Sequence, residues 1–269
     1  MNVCSEIALE LPLAELRRGN ARGRATAGGF TLIELLVVLA VIALLSAMLL
    51  PTLAGAKHIA QQARCAGHLR QLGLAATMCF DDNDGRTFPY QLHATNGGVV
   101  YWFGWIESGV EGERAFDPAL GPLYEYVQGR GVEICPSLRY SSAHFKMKAK
   151  GAAYGYGVNR HLTSTNGLPP FNVQQLRDPS SIALFADAAQ INDFQPPASP
   201  ENPMLEEWYY VDAGGGAFDY PNAHFRHRRR ANAVFVDGHV DRATPVPGSI
   251  DQRRPAEHVG RLRAEILKP

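Results

Sequence analysis

The chain has no charge surplus. Its 26 Lys and Arg residues balance 26 Asp and Glu over 269 positions. Broad contact with a nucleic-acid backbone needs an excess of cations, so the composition speaks against nucleic acid as the main partner. Short catalytic motifs are missing too. There is no Gly-x-Ser-x-Gly and no His-Glu-x-x-His, the spacings that set a nucleophile or a metal-bound water beside its base. Internal repeats are absent, which sets aside solenoids and propellers. Most informative is a local absence: the sixteen residues from Leu35 to Leu50 carry no charge at all.

What surrounds that gap gives it meaning. Phe30 to Leu50 is twenty-one residues, roughly 31 Å as a helix and enough for a bilayer core of ~30 Å. It exceeds the ~7–15 residues of a secretory h-region. Arg17, Arg18, Arg22 and Arg24 precede it, with Glu6, Glu10 and Glu15 further away. That bias puts the N-terminus in the cytoplasm and the residues after Pro51 outside. Removing residues 1–29 would take four Arg and three Glu, so the balance stays within one charge of zero. A plain signal anchor explains the length and orientation. It does not explain Gly28-Gly29, nor Glu34 among apolar residues, where a carboxylate is costly.

The run Gly29-Phe30-Thr31-Leu32-Ile33-Glu34-Leu35-Leu36-Val37-Val38 resembles the N-terminal signature of type IV pilins and type II secretion pseudopilins. The resemblance implies cleavage after Gly29 by a prepilin peptidase and methylation of Phe30. It implies that the Glu34 carboxylate meets the N-terminal amine of a neighbouring subunit, and that Pro51 is a helix-bending proline. The leader of 29 residues is longer than most in the family.

Beyond Pro51 the helix continues. Ile59, Ala63, Ala66, Leu69, Leu72, Ala76 and Cys79 recur in steps of three and four, the mark of an amphipathic helix. Phe30 to about Phe80 would make roughly 75 Å of helix at ~1.5 Å per residue. Asp81-Asp82-Asn83-Asp84-Gly85 ends it with a left-handed glycine cap. Asp82 and Asp84 are also weak candidate ligands for calcium, although the spacing is not that of an EF-hand loop. Of the cysteines, Cys4 lies in the leader, and Cys65, Cys79 and Cys135 remain. Three thiols allow three single pairings; a bond from Cys135 to one of the other two is expected.

Short apolar and aromatic segments follow at 99–106, 132–135, 153–158, 182–186 and 208–211, which read as strands between loops rich in Pro, Asn, Ser and Gly, such as 164–170. The Trp and Tyr residues among them read as core or sheet surface. Asp237-Gly238 between apolar runs predicts a type I′ hairpin pairing 233–236 with 239–242. Nine residues separate His227 from Asp237, which resembles the His-x9-Asp-Gly domain of pseudopilin-like proteins. Arg64-Cys65-Ala66-Gly67-His68-Leu69-Arg70-Gln71-Leu72-Gly73, Cys135-Pro136-Ser137 and Tyr154-Gly155-Tyr156-Gly157-Val158-Asn159 resemble that family as well. His227 is expected to hydrogen-bond the Asp237 turn. His224, His227, Asp237, His239 and Asp241 are alternative metal donors, without His-x-His spacing. Arg226 and Arg228 to Arg230 read as a solvated, pairing-resistant strand edge.

These readings expect an α+β fold: a transmembrane-plus-amphipathic helix packed on an antiparallel sheet. The divisions are 1–29 leader, 30–50 membrane span, 51–80 amphipathic helix, 81–248 β-rich domain and 249–269 helical tail, whose apolar face is Val259, Leu262 and Ile266. The expected work is assembly rather than catalysis, without a cofactor. Expected partners are other pilin-like subunits, a prepilin peptidase, an inner-membrane assembly platform and lipid. A type IV pilus subunit for adhesion, motility or DNA uptake is the alternative. A membrane-anchored enzyme or metal-binding protein is the alternative of another class.

Overall fold

A single helix of 50 residues, α1 (Leu32–Asp81), opens the computed structural model of the protein. The structure describes residues 30–94, 97–127, 131–152, 154–163, 171–215 and 219–269. Residues 1–29, expected to be a leader and including Cys4 and Gly29, and residues 164–170, expected to be a loop, lie outside the described residues. The chain divides into two compact units, Met1–Pro51 and Thr52–Pro269.

In the first unit every side chain from Phe30 to Pro51 is exposed. A helix apolar on all sides, with none of it buried by its own chain, is suited to lipid or to copies of itself. Pro51 lies inside α1 and does not end it.

The second unit begins with the rest of α1. Its buried stripe is Cys65, Leu69, Leu72, Ala76, Cys79 and Phe80, spaced at three and four because the helix turns once per ~3.6 residues. The stripe starts later than the periodicity predicts, since Ile59 and Ala63 are exposed. Gly73 belongs to it: a β-carbon there would come within 2.7 Å of Val234 Cγ2. Asn83 Nδ2 donates to Cys79 O at 2.7 Å and Gly85 N to Phe80 O at 2.8 Å, closing the helix end. Asp84 (φ 55°) and Gly85 (φ 76°) both take the left-handed conformation.

Strands β1 (Gln91–Ala94), β2 (Gly98–Tyr101), β3 (Gly104–Glu107) and β4 (Phe116–Asp117) form an antiparallel sheet in chain order. A one-turn helix follows, α2 (Tyr124–Val127). Then come β5 (Phe145–Lys146), β6 (Tyr156–Asn159), β7 (Ala183–Asp187), β8 (Gln190–Asn192) and β9 (Met204–Glu206). The last strands are β10 (Tyr210–Val211), β11 (Ala223–His224), β12 (Ala231–Phe235), β13 (Val240–Ala243) and β14 (Val259–Gly260). The central sheet runs β10-β6-β7-β12-β13. Only β10–β6 is parallel in it. A smaller sheet, β5-β9-β8, has its parallel pair at β5–β9, and β11 pairs with β14. The fold is α+β, and its sheets are mixed rather than purely antiparallel.

Every residue of β7 and β12 is buried. Their side chains feed two clusters. Phe185 and Val234 join Leu69, Leu72 and Tyr156. Ala186, Ala233 and Phe235 join Leu262 and Leu267.

Three expectations need correction. The tail 249–269 is not an α-helix: Pro255–Glu257 and Ala264–Ile266 are single 3-10 turns on either side of β14. Val259 and Leu262 are buried as expected, but by strand pairing and by the second cluster. Residues 132–135 form turns, not a strand, although Val132 and Cys135 are buried. The hairpin exists, but Ala231 pairs Ala243 and Val234 pairs Val240. Phe235 N donates to His239 O at 2.9 Å, and only Gly238 (φ 88°) is left-handed. That is a three-residue loop with a glycine bulge, not a type I′ turn.

Candidate functional site

The N-terminal signature forms a helix cap. Thr31 precedes the first residue of α1, and Glu34 lies three residues on. Glu34 Oε2 accepts from Thr31 N and from Thr31 Oγ1, both at 2.8 Å, and Thr31 Oγ1 accepts from Glu34 N at 3.3 Å. This reciprocal pattern is the capping box. The carboxylate thus has a local partner, Thr31, at the helix start.

The second candidate is assembled from four distant places in the chain. Arg228 (φ 53°) and Arg229 (φ 60°) are both left-handed, and His227 and Arg230 exchange backbone hydrogen bonds at 3.0 and 3.1 Å. This is the tight turn with two positive φ values that was expected at Asp237-Gly238. It points the His227 side chain inward. His227 Nε2 lies 3.3 Å from Asp187 Oδ2 at the end of β7. The ligand atoms of Cys65, Cys135 and His227 lie within 4.8 Å of one another, and the two sulfurs are 2.7 Å apart.

Arg226 is not part of a solvated edge. Its side chain is buried. It donates to Asp187 Oδ1 at 2.8 Å, Ala188 O at 3.2 Å and Cys135 Sγ at 3.2 Å, and its Nη2 also contacts Gly155 O. Asp187 Oδ2 accepts from Asn232 N at 2.7 Å. A buried charge persists only where such partners replace water. Arg228, Arg229 and Arg230 are exposed.

Each charge state has a cause. Burial alone would raise the Asp187 carboxyl, but the Arg226 charge and His227 hold it below its usual value. Burial would lower His227, yet the neighbouring Asp187 carboxylate and Cys135 prevail and push it up to about 9. Burial would raise the Cys135 thiol, but Cys65, Arg226 and His227 hold it well below the ordinary thiol range. The hydrogen bond to Cys135 comes first among the causes that push Cys65 up, ahead of burial. In the reduced cluster these directions favour the ionised forms of Cys135, His227 and Asp187 beside the Arg226 guanidinium.

Cys135, His227 and Asp187 stand in the order of nucleophile, base and orienting acid. The Cys135 side chain is fully buried, however, and its sulfur touches Cys65. No face of it is open to a substrate. Beside the cluster is a cleft of about 500 Å³ whose walls include Lys57, His58, Arg139, Arg226, His227 and Arg228.

The expected His227–Asp237 bond does not form. Asp237 binds its own loop: Oδ1 accepts from His239 N at 3.1 Å and pairs with His239 Nδ1 at 2.6 Å. His239 stacks on Phe235 with centroids 4.3 Å apart. Asp82 accepts from Tyr126 Oη at 2.8 Å, and the Asp84 carbonyl accepts from Asn172. Trp102, Tyr154 and Tyr156 are core residues.

Sequence reasoning missed Asp187, an acid closing an apolar strand. It also missed Glu206, whose carboxylate meets Lys146 Nζ at 3.1 Å, Lys148 Nζ at 2.5 Å, and Gln190 and Asn192 at 2.7 Å each. Burial opposes ionisation of Glu206, but the two lysines hold it at about 2, whereas burial pushes the adjacent Glu207 up to about 7. The signal was present in the paired acids Glu206 and Glu207 next to Trp208 and in Lys146 and Lys148, spaced two apart.

Residues 24–50 match the prokaryotic N-terminal methylation motif. No curated protein and no solved structure matches the chain. The motif is consistent with a type IV pilin-like protein. It supports a precursor processed by a prepilin peptidase, and with the apolar helix it suggests a single-pass membrane anchor.

Proposed function

We propose that this chain is a subunit of a type II secretion-like pseudopilus. Its work is assembly rather than catalysis. A prepilin peptidase on the cytoplasmic side cuts between Gly29 and Phe30 and methylates Phe30. Residues 30–50 hold the subunit in the inner membrane, and the β-rich domain stands outside the cytoplasm. On extraction into the filament, Glu34 exchanges its Thr31 cap for the cationic amine of a neighbour's Phe30. Other pilin-like subunits and an inner-membrane assembly platform are the partners.

The observation that carries this reading is the methylation motif at 24–50, continued by a helix with no buried side chain through Pro51. A capped carboxylate at its start is pre-positioned beside the new N-terminus. The test is removal of the gene from its native host. Loss of exported proteins from the medium, with surface filaments intact, is expected. Loss of surface filaments with export intact would replace the pseudopilus by a pilus.

A further inference from the structure

We infer that Cys65 and Cys135 are joined by a disulfide in the exported protein, fastening the 52–81 stretch of α1 to the β-rich domain. The bond closes a loop of 70 residues. Three single pairings are open from the sequence; the fold selects one. The Cys65 and Cys135 sulfurs are 2.7 Å apart, both side chains are fully buried, and nothing separates them. Cys79 lies fourteen residues along the same helix, roughly 21 Å from Cys65 at ~1.5 Å per residue. It is occupied elsewhere, beside Asn83.

The same donors are the obvious place to look for zinc, and the geometry speaks against it. Two thiolates on one tetrahedral zinc, with bonds of about 2.3 Å, stand about 3.8 Å apart. Here the gap is 2.7 Å, and Arg226 Nε already donates to Cys135 Sγ at 3.2 Å. A buried guanidinium at a ligand sulfur repels a second cation.

Arg226 Nε, 3.2 Å from Cys135 Sγ, and His227 beside it favour the Cys135 thiolate as the fold closes, and the thiolate is the attacking form. Cys135 attacks a small disulfide or the disulfide of an exchange enzyme while the domain is closing, and one oxidant sulfur leaves as a thiolate. Cys65 gives its proton to that thiolate and attacks Cys135 Sγ, releasing the second sulfur. Two protein thiols become one disulfide, and the oxidant disulfide becomes two thiols. This assigns a role to the histidine of the His-x9-Asp-Gly pattern: it serves Cys135 and Asp187, not the Asp-Gly turn.

The inference rests on the proposed placement of the domain outside the cytoplasm, so the experiment reads both. Native membranes are quenched in acid, alkylated with N-ethylmaleimide and digested without reductant, and protease access to spheroplasts reports the side of the domain. A Cys65–Cys135 cross-linked peptide with Cys79 alkylated is expected. An outside domain with Cys65 and Cys135 alkylated, or a bond through Cys79, overturns the disulfide. An inside domain overturns the placement alone. In that case the solubilised full chain is equilibrated with oxidised glutathione: closure of Cys65–Cys135 supports the pair, and two alkylated thiols overturn it. Stoichiometric zinc in the native protein, lost in C65S/C135S, also overturns it. Dithiothreitol should lower the wild-type melting temperature by on the order of 10 °C and leave C65S/C135S unchanged. A wild-type protein indifferent to reductant would be incompatible with the bond.

Discussion

His227 and Cys135 are shifted in opposite directions, and the two shifts together shape the dependence of stability on pH. His227 is raised to about 9. Its contribution is full below pH 6.5 and is lost as pH rises toward 9. Cys135 is depressed. Its contribution is full above the ordinary thiol value and is lost as pH falls through the folded one. In the reduced protein folding moves a proton from sulfur to imidazole, so stability is nearly flat between pH 6.5 and 9. In the disulfide form the sulfur no longer titrates. Asp187 alone then supports the imidazolium, and stability falls from pH 6.5 upward by on the order of 1–2 kcal/mol. Urea midpoints from pH 7.5 to 9.5, above the Glu207 transition, check this: a downward slope for oxidised wild type that is lost in H227Q. Asp237→Ala should change stability by no more than about 0.5 kcal/mol, because its partners are the exposed loop's own His239 and backbone. Asp187→Ala should cost about 3–5 kcal/mol, since it leaves the buried Arg226 unpaired.

Helices and strands were readable where one periodic signal decided them. The α1 stripe was legible from Leu69 onward because burial there follows the helical period. The two tight turns show the limit. Asp-Gly announced a turn, and a turn is there, but tertiary pairing of β12 with β7 and β13 set its loop at three residues. Arg228-Arg229 gave no signal, since arginine has no preference for positive φ; the inward contacts of Arg226 and His227 hold it there. The tail misled because steps of three and four among Val259, Leu262 and Ile266 also suit 3-10 turns around a short strand. The N-terminal methylation motif was legible, being local. The Cys65–Cys135–His227–Asp187 cluster was not, because it joins α1, a turn, β7 and the loop after β11. Leu72→Ala should cost about 2–5 kcal/mol, measured by chemical denaturation, because Leu72 is 1% exposed at the centre of the stripe. Leu74→Ala, exposed on the same helix, should stay within about 0.5 kcal/mol.

Assembly puts two demands on Glu34, and they can be separated. Within one chain the carboxylate caps Thr31. Between chains, under the proposed function, it pairs with the amine of a neighbour's Phe30. In a low-dielectric filament core that pair outweighs its strength in water, although desolvation offsets part of the gain. A neighbour displaced by one helical turn would leave both charges unpaired, so the pair also fixes axial register. Thr31→Ala removes only the hydroxyl of the cap, at a cost of about 1 kcal/mol, and leaves the carboxylate for the neighbour. Glu34→Gln keeps a hydrogen-bonding oxygen for the cap and removes the charge. If the carboxylate is an assembly contact, T31A should be cleaved, methylated and incorporated. E34Q should be inserted and cut at Gly29–Phe30 yet fail to cross-link to neighbouring subunits in membranes at equal expression. Mass spectrometry reads the first step as an N-terminal Phe30 with one added methyl; cross-linking reads the second. Wild-type cross-linking by E34Q would reduce Glu34 to a helix cap and the span to a plain anchor.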